Sequence, residues 1–295
     1  MGTLTDARIV TVGDLLRWGR VQLAQAGIED AARETAWLLE HALGMTALEV
    51  RVKGAQPVEG SALRRTEALL ARRASREPLQ YLLGTQEFCG LEFSVAPGVL
   101  IPRPETELLV DETILRVTAQ AHPVIADVGT GSGCIAVPLA CRVPQAALYA
   151  VDRSADALRI AQRNAARHGV LAQVTFLEGD LLVPLREQGM AGRVDVIVSN
   201  PPYIAERDWD MVQPEVRLYE PRLALAAGED GLAVYRRLVP EAAQMLCAAG
   251  WIILEVGRGQ AGAVRALIEA TGRYGAMKTR TDAAGIERVV IAQKR

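Results

Sequence analysis

The sequence predicts an α/β protein in which a small bundle of helices precedes a mainly parallel sheet. Apolar residues recur at helical spacing through about the first eighty positions, whereas short apolar strands alternate with helical patterns from about residue 102 onward. The middle strands are almost continuously apolar, which is typical of parallel strands covered by helices on both faces. We therefore expect a helical domain over residues 1–85, a β-hairpin linker over 86–102 and an α/β domain over 103–295.

Four helical segments are predicted in the N-terminal part. Thr11 and Asp14 have the spacing of an N-cap pair, so the first helix is expected to follow them. The other three are expected over about 32–43, 61–74 and 79–83. The third has a basic character that suits either an acidic partner or a solvated face. Its arginines are Arg64, Arg65, Arg72, Arg73 and Arg76.

Extended patterns replace helical ones after Gly84. Two apolar runs are separated by Pro97-Gly98, which is a turn signal, so we expect a β-hairpin over about 86–101. Seven further strands are expected in the α/β domain, and all of them are short. They are Pro123–Val128, Ala147–Val151, Val174–Leu177, Val194–Ser199, Trp251–Val256, Gly275–Thr279 and Arg288–Ala292.

Composition limits the range of functions. The formal net charge is −2, which argues against a protein whose main task is to coat nucleic acid. The four cysteines form no Cys-x-x-Cys pair and the three histidines are scattered singly, so no metal site is expected. No apolar run approaches the length of a bilayer span, and Met1–Arg8 lacks the apolar core of a signal peptide. We expect a cytoplasmic protein without a membrane partner.

A glycine-rich loop follows the first strand of the α/β domain and leads into a helix expected near Cys134. Glycine permits positive φ angles and close approach of the backbone to a ligand, and the N–H groups of a helix start favour an anionic group. The pattern is Gly-x-Gly-x-Gly, so on this loop alone both NAD and S-adenosyl-L-methionine remain open. The candidate cofactor-binding residues are Asp127, Gly129, Thr130, Gly131, Ser132 and Gly133.

Acidic residues end the next two predicted strands. Asp152 lies about twenty residues after the glycine loop, where a carboxylate can accept hydrogen bonds from both ribose hydroxyls. Asp180 can accept from an adenine amino group, and Leu181 can offer its backbone N–H to the adenine ring. Each aspartate alone could equally be a helix N-cap or a solvated turn residue. Three strand ends of this kind in succession favour a ligand-binding role over these alternatives, because open α/β sheets bind ligands at the carboxyl ends of their strands.

Asn200-Pro201-Pro202-Tyr203 follows the fourth predicted strand directly. The two prolines remove two backbone donors and restrict the conformation, so the loop presents carbonyl oxygens and one amide side chain. Asn200 Oδ1 and the Pro201 carbonyl can together accept both hydrogens of a planar NH2 group, and the Tyr203 ring can lie against its flat face. A rigid surface turn is the alternative. The combination with a cofactor loop favours transfer of a methyl group to a planar NH2 group.

These motifs resemble the HemK/PrmC protein-(glutamine-N5) methyltransferases of peptide chain release factors. The resemblance covers nearly the whole chain, and the stretch 101–107 is its most specific part. Asn-Pro-Pro-Tyr is also found in adenine-N6 and cytosine-N4 methyltransferases. Further matching segments are 78–84, 87–91, 220–225 and 254–257.

The resemblance implies a Rossmann-like class I S-adenosylmethionine-dependent methyltransferase domain with a seven-stranded, mainly parallel sheet, behind a helical domain that recognises the substrate. It implies that Asn200 to Tyr203 hold the glutamine of the Gly-Gly-Gln motif in class 1 release factors. It assigns Gly129 to Gly133, Asp152, Leu181 and Asn200 to S-adenosyl-L-methionine. The family often has an aromatic residue in place of Leu181, so stacking on adenine is not carried over.

Three other functions are compatible with parts of the pattern. An adenine-N6 methyltransferase would need an added recognition domain and a basic groove, and neither is visible, so no stable nucleic-acid partner is expected. Glutamine methylation of a ribosomal protein would use the same chemistry on another partner. A non-catalytic module that binds S-adenosyl-L-methionine would not need an intact acceptor loop. Trp209 and Met211 follow that loop, and we hypothesise that they cover the glutamine site.

Overall fold

The computed structural model describes residues 10–295, and the chain forms two compact units. The helical unit ends at Gly84 and also contains residues 213–219. The sheet unit comprises residues 85–212 and 220–295. The stretch Met1–Arg8, considered above for a signal segment, lies outside the described residues. Within residues 10–295, no helix combines the length and the apolar character that crossing a membrane requires.

The secondary structure consists of twelve α-helices and nine strands in the described residues. The helical unit contains α1 (Val12–Gln25), α2 (Ala31–Leu43), α3 (Ala47–Val52), α4 (Gly60–Ala74), α5 (Leu79–Leu83) and α10 (Pro214–Tyr219). The sheet unit contains α6 (Glu107–Val117), α7 (Ala136–Arg142), α8 (Ala155–Arg167), α9 (Val183–Glu187), α11 (Ala233–Met245) and α12 (Ala261–Ala270). Its strands are β1 (Thr85–Phe88), β2 (Leu91–Ser94), β3 (Val124–Val128), β4 (Ala147–Asp152), β5 (Val174–Glu178), β6 (Val194–Ser199), β7 (Leu246–Glu255), β8 (Tyr274–Thr281) and β9 (Glu287–Lys294). Short 3-10 helices lie at Pro104–Thr106, Leu171–Gln173, Glu206–Met211 and Arg222–Ala224.

The four helices expected in the N-terminal part are present, and α3 was missed there. Thr11 Oγ1 accepts a hydrogen bond from the Asp14 backbone N–H at 3.2 Å, and the Asp14 carboxylate accepts one from the Thr11 N–H at 3.0 Å. This reciprocal capping box starts α1. Helix α3 has six residues and buries only Val50, so it leaves no apolar periodicity in the sequence. Its signal is a second capping box, between Thr46 and Glu49.

Three arginines of the basic stretch bind carboxylates of the helical unit itself, and two of them, Arg73 and Arg76, bind the same glutamate. Arg73 is buried, and it lies 2.5 Å from a Glu34 oxygen and 3.1 Å from a Glu215 oxygen. Arg76 bonds the other oxygen of Glu215 at 2.7 Å. Glu215 belongs to α10, so these ion pairs bind the segment 213–219 into the helical unit. The positions of Arg73 and Arg76 are therefore explained by these internal ion pairs, and not by an external acidic partner or a solvated face.

The sheet unit contains the seven strands that the sequence predicts, in the order β5-β4-β3-β6-β7-β9-β8. Strands β5, β4, β3, β6 and β7 are parallel, and β9 and β8 are antiparallel to their neighbours. Ile125 packs into one apolar core and its neighbour Ala126 into another, so both faces of the sheet are covered. The prediction of a mainly parallel, Rossmann-like sheet is confirmed. The carboxyl ends of β3, β4, β5 and β6 meet at one edge.

The hairpin is shorter than expected, and its turn is elsewhere. Strands β1 and β2 pair from Thr85–Ser94 to Phe88–Leu91, so the connection is Cys89-Gly90 and not Pro97-Gly98. Cys89 has φ 54° and Gly90 has φ 78°, the two positive angles of a tight two-residue hairpin turn. Cysteine seldom signals such a turn, which explains the error. Residues 99–101 form no strand but line or adjoin the cavity described next.

Candidate active site

A cavity of about 310 Å³ opens at the carboxyl ends of the parallel strands in the sheet unit. This volume is within the range of small-molecule sites. Its wall includes the turn after β3, the ends of β4 and β5 and the corner after β6, together with residues from 98–100, 221–226 and α11. Six of the residues predicted to bind cofactor line it, namely Gly129, Gly131, Asp152, Asp180, Leu181 and Asn200.

The turn after β3 brings backbone to the cavity. Gly131 has φ 56°, a left-handed conformation that glycine adopts without strain. Its N–H donates to Asp152 Oδ2 at 2.9 Å, while Asp152 Oδ1 accepts from the Ser154 N–H at 2.9 Å. The carboxylate of β4 is therefore held by backbone donors, with its side chain in the cavity wall. Burial raises the pKa of Asp152 above its ordinary value, although these donors oppose the shift.

Four predicted cofactor residues lie behind the cavity wall. Asp127 is fully buried and accepts hydrogen bonds from Thr130 Oγ1 at 2.6 Å and from the Ala136 N–H at 3.2 Å. It thereby joins the glycine turn to the start of α7, and burial raises its pKa to about 7. Direct contact with a cofactor stays a prediction for Asp127, Thr130, Ser132 and Gly133.

The end of β5 gives the cavity a charged and a strained residue. Asp180 forms an ion pair with Arg237 of α11, and both line the cavity. Arg237 was missed because no local motif marks it. Leu181 has φ 50°, a conformation that costs a non-glycine residue on the order of 1 kcal/mol. Strain of this kind is concentrated at functional sites, and here it occurs at the residue whose N–H is predicted to meet adenine.

The corner after β6 is held by residues from distant parts of the sequence. Asn200 Nδ2 donates to Thr106 Oγ1 at 3.1 Å, and the Tyr203 carbonyl accepts from Gln260 Nε2 at 2.9 Å. A Cβ atom on Gly231 would lie 2.4 Å from that same carbonyl oxygen, so only glycine fits there. Asn200 and Pro202 line the cavity, whereas Pro201 is buried. Substrate contacts of Pro201 and Tyr203 stay predictions.

A buried carboxylate lies beneath this corner. Glu255 ends β7 and is 1% exposed. It accepts a hydrogen bond from Thr106 Oγ1 at 2.7 Å, and the Tyr203 hydroxyl lies 3.5 Å from its other oxygen. Burial raises the pKa of Glu255 to about 7, although Thr106 and Arg288 oppose the shift, and burial also raises the pKa of Tyr203. Sequence reasoning gave Thr106 and Glu255 no chemical role, although both lie in segments that matched the family.

A second buried carboxylate joins two walls of the cavity. Glu220 accepts a hydrogen bond from the Ile101 N–H at 3.1 Å and forms an ion pair with Arg103 at 2.5 Å. It thereby connects the segment that contributes Val99 and Leu100 to the wall with the segment that contributes Pro221 and Leu223. Both segments matched family motifs, but a contact across 119 positions has no local signal.

The two residues that we hypothesise to cover the glutamine site differ in their contacts and exposure. Trp209 lies in the short helix Glu206–Met211, and the Arg222 guanidinium lies 4.8 Å from the centre of its ring. Such a cation–π contact favours one position of the ring. Met211 is 78% exposed. Cover of a substrate by these residues stays a prediction.

A glycine-lined cavity at the carboxyl ends of a seven-stranded sheet, next to an Asn-Pro-Pro-Tyr corner, defines a class I, Rossmann-like methyltransferase. Enzymes of this class take the methyl group from S-adenosyl-L-methionine. Residues 14–84 match the PrmC N-terminal domain, and residues 105–217 match the methyltransferase small domain.

A release factor glutamine methyltransferase from Geobacter sulfurreducens is 49% identical over 282 residues, covering 96% of this chain and 96% of the relative. Another, from Gloeobacter violaceus, is 43% identical over 277 residues, covering 93% and 95%. The crystal structure of a methyltransferase from Pyrococcus furiosus shares the fold, with a TM-score of 0.51 at 18% identity, covering 79% of this chain and 98% of that one. The chain belongs to the release factor glutamine methyltransferase family.

Proposed function

We propose that the protein transfers a methyl group from S-adenosyl-L-methionine to the side-chain amide nitrogen of the glutamine in the Gly-Gly-Gln motif of class 1 peptide chain release factors. The observation that carries the proposal is the position of Asn200, which lines the cavity and forms the first residue of a donor-poor corner. The corner suits a planar amide group as the methyl acceptor. The relatives are named release factor glutamine methyltransferases, which points to a release factor as the substrate.

The chemistry of the cavity wall suits the methyl donor. Its walls offer the backbone of Gly129 and Gly131, the carboxylates of Asp152 and Asp180, and the backbone of Leu181. Carboxylates at these strand ends suit ribose hydroxyls and an adenine amino group. When bound, S-adenosyl-L-methionine supplies the methyl group on a positively charged sulfur. Asp127, Thr130, Ser132 and Gly133 support this wall from behind in the proposed complex.

The acceptor corner has to compensate for a poor nucleophile. The lone pair of an amide nitrogen is delocalised into its carbonyl group, so orientation must supply most of the rate enhancement. Asn200 Oδ1 and the Pro201 carbonyl accept the two N–H groups of glutamine and hold its nitrogen toward the cavity, with Pro202 and Tyr203 beside it. Holding reactants in a near-attack geometry lowers barriers by roughly 7–11 kcal/mol in the best cases.

The same two acceptors also stabilise the transition state. Positive charge develops on the nitrogen as the new bond forms, and oxygen acceptors fixed in advance interact with that charge favourably. The methylated nitrogen becomes acidic and releases its proton without an obligatory general base. We assign recognition of the release factor to the helical domain over residues 1–85, with 86–102 as linker and 103–295 as the catalytic domain. The cytoplasm is where such a substrate is met.

A labelling experiment tests this proposal. The protein is incubated with methyl-labelled S-adenosyl-L-methionine and, separately, a purified class 1 release factor, a ribosomal protein fraction and DNA. We expect label on the Gly-Gly-Gln glutamine, located by mass spectrometry, and none on a release factor with alanine at that position. Label confined to a ribosomal protein or to adenine would overturn the choice of substrate.

A further inference from the structure

We propose that Thr106 and Glu255 are positioning residues that fix which way the Asn200 amide faces, so that its oxygen and not its nitrogen meets the substrate NH2 group. This inference rests on the proposed function, because it concerns the acceptor that holds glutamine. Thr106 precedes α6 and Glu255 ends β7, and the two residues meet only in the folded protein.

The direction of the hydrogen bonds follows from the chemistry of the three groups. In its ionised form, which dominates above about pH 7, the Glu255 carboxylate only accepts hydrogen bonds, so the Thr106 hydroxyl must donate its single proton to it, at 2.7 Å. The remaining lone pairs of Thr106 Oγ1 then require a donor. Asn200 supplies it with Nδ2, at 3.1 Å. The NH2 end of the amide therefore faces Thr106.

Fixing the nitrogen end also fixes the oxygen end, because the amide is planar. Asn200 Oδ1 is left for a partner in the cavity that the residue lines. If the amide were reversed, its NH2 group would face the NH2 group of glutamine, and two donors would oppose each other. Asparagine alone has no preference between the two orientations, so the chain of bonds from Glu255 through Thr106 supplies it.

Burial makes this chain of bonds rigid. Thr106 and Glu255 are each 1% exposed, so water does not offer either group an alternative partner. Tyr235 donates its hydroxyl to the Glu255 backbone carbonyl at 2.7 Å and holds the end of β7 in place. The Tyr203 hydroxyl lies 3.5 Å from the other oxygen of the carboxylate. One buried carboxylate thus contacts both the first and the last residue of the acceptor corner, directly or through Thr106.

The decisive variant is Thr106→Val, which keeps the shape of the side chain and removes the hydroxyl. We expect kcat for glutamine methylation to fall roughly 10–100-fold, the effect typical of lost supporting contacts around a site. The Kd for S-adenosylhomocysteine and the KM for the release factor should each change less than about threefold. Thr106→Ser restores the hydroxyl and should bring kcat back to within about threefold of the wild type.

Thr113→Val is the matched control. Thr113 is also buried in α6, and its hydroxyl donates to the Leu109 carbonyl at 2.7 Å, away from Asn200. The same substitution there should leave kcat near the wild-type value, and thermal unfolding should show both valine variants folded. Equal losses of kcat in Thr106→Val and Thr113→Val would overturn the proposal, as would a Thr106→Val enzyme with wild-type kcat.

Glu255→Gln keeps the test decisive if Thr106→Val does not fold. A glutamine side chain can donate or accept a hydrogen bond, so it no longer forces the Thr106 hydroxyl to donate. We expect kcat to fall with little change in the affinity for S-adenosylhomocysteine. Unchanged kcat in this variant would also overturn the proposal. A wild-type enzyme that leaves glutamine unlabelled would refute the proposed function instead, so the two failures are distinguishable.

Discussion

The two halves of the candidate site are built by different means. On the side that binds the methyl donor, called the donor side, the turn after β3 and the end of β4 are joined by contacts between adjacent strands, such as the Gly131 N–H on Asp152, which is 21 positions away. On the acceptor side, Asn200 is held by Thr106, which is 94 positions away, and the Tyr203 carbonyl by Gln260, which is 57 positions away. On the donor side, backbone N–H groups hold the carboxylate of Asp152, whereas the acceptor corner is held by the side chains of Thr106 and Gln260.

This difference teaches where each function is vulnerable. The donor side depends on its backbone conformation and on the carboxylates at the strand ends, so it should respond mainly to substitutions that alter φ angles or remove a carboxylate. An acceptor corner made of side-chain hydrogen bonds should lose catalysis when any one of them is removed, without loss of donor binding. Substitutions on the two sides should therefore change kcat and the affinity for the methyl donor independently.

The largest effect is expected for Asn200→Ala. Removing a fixed group that stabilises developing charge costs roughly 100–1,000-fold in kcat. S-adenosylhomocysteine should bind with nearly wild-type affinity, measured by isothermal titration calorimetry, because the other cavity residues remain. Undiminished turnover would refute the acceptor role of Asn200, and a loss of affinity as large as the loss of kcat would place Asn200 mainly on the donor side.

A substitution at Gly131 tests whether the conformation of the glycine turn controls the affinity for the methyl donor. A residue with a side chain is strained at φ 56°, so Gly131→Val should displace the turn and raise the Kd for S-adenosylhomocysteine by about tenfold. At saturating donor, kcat should stay within about threefold. Gly262→Ala is the matched control, because that glycine lies in α12 and nothing lies within 4 Å of the added Cβ. Equal effects at both glycines would contradict the account.

The acceptor side should also respond to pH. Burial raises the pKa of Glu255 to about 7, with Arg288 opposing and Glu105 assisting the shift, and Tyr203 adjacent. Below that pH the carboxyl is protonated and no longer forces Thr106 to donate, so kcat should fall as pH decreases through 7. Glu255→Gln should flatten the kcat profile between about pH 6 and 8. A variant that keeps the wild-type profile would assign the titration to another group.

The smallest effect is expected for Trp209→Ala. If this ring covers bound glutamine, its loss should raise the KM for the release factor by roughly three- to tenfold, in line with one apolar contact of about 1 kcal/mol. The affinity for S-adenosylhomocysteine should not change. An equal loss of substrate and donor affinity would argue for a general disturbance of the cavity by Trp209→Ala.

Much of the fold could be predicted because its signals are local. Apolar runs indicated all seven strands of the main sheet, and the capping pair Thr11 and Asp14 marked the start of α1. The hairpin turn was misplaced because Cys89 adopts a positive φ angle that its side chain does not announce. Helix α3 was missed because it buries a single residue.

The candidate site could be predicted only in part, for the same physical reason. Asp152 ends β4, Asp180 lies two positions after β5 and Asn200 directly follows β6, so their convergence at one edge follows from the parallel sheet. Arg237, Gln260 and Gly231 reach the site through tertiary packing, and no spacing in the sequence reports it. Thr106 and Glu255 lay in segments that matched the family, but their hydrogen bonds appear only in three dimensions.

The most direct test of the central claim is a crystal structure with S-adenosylhomocysteine and a Gly-Gly-Gln peptide. The measurement is the distance from the glutamine amide nitrogen to Asn200 Oδ1 and to the Pro201 carbonyl oxygen. We predict both at hydrogen-bond length, about 2.7–3.2 Å, with the nitrogen directed at the sulfur of the cofactor. A glutamine bound elsewhere, or an Asn200 whose NH2 group faces the peptide, would contradict this prediction.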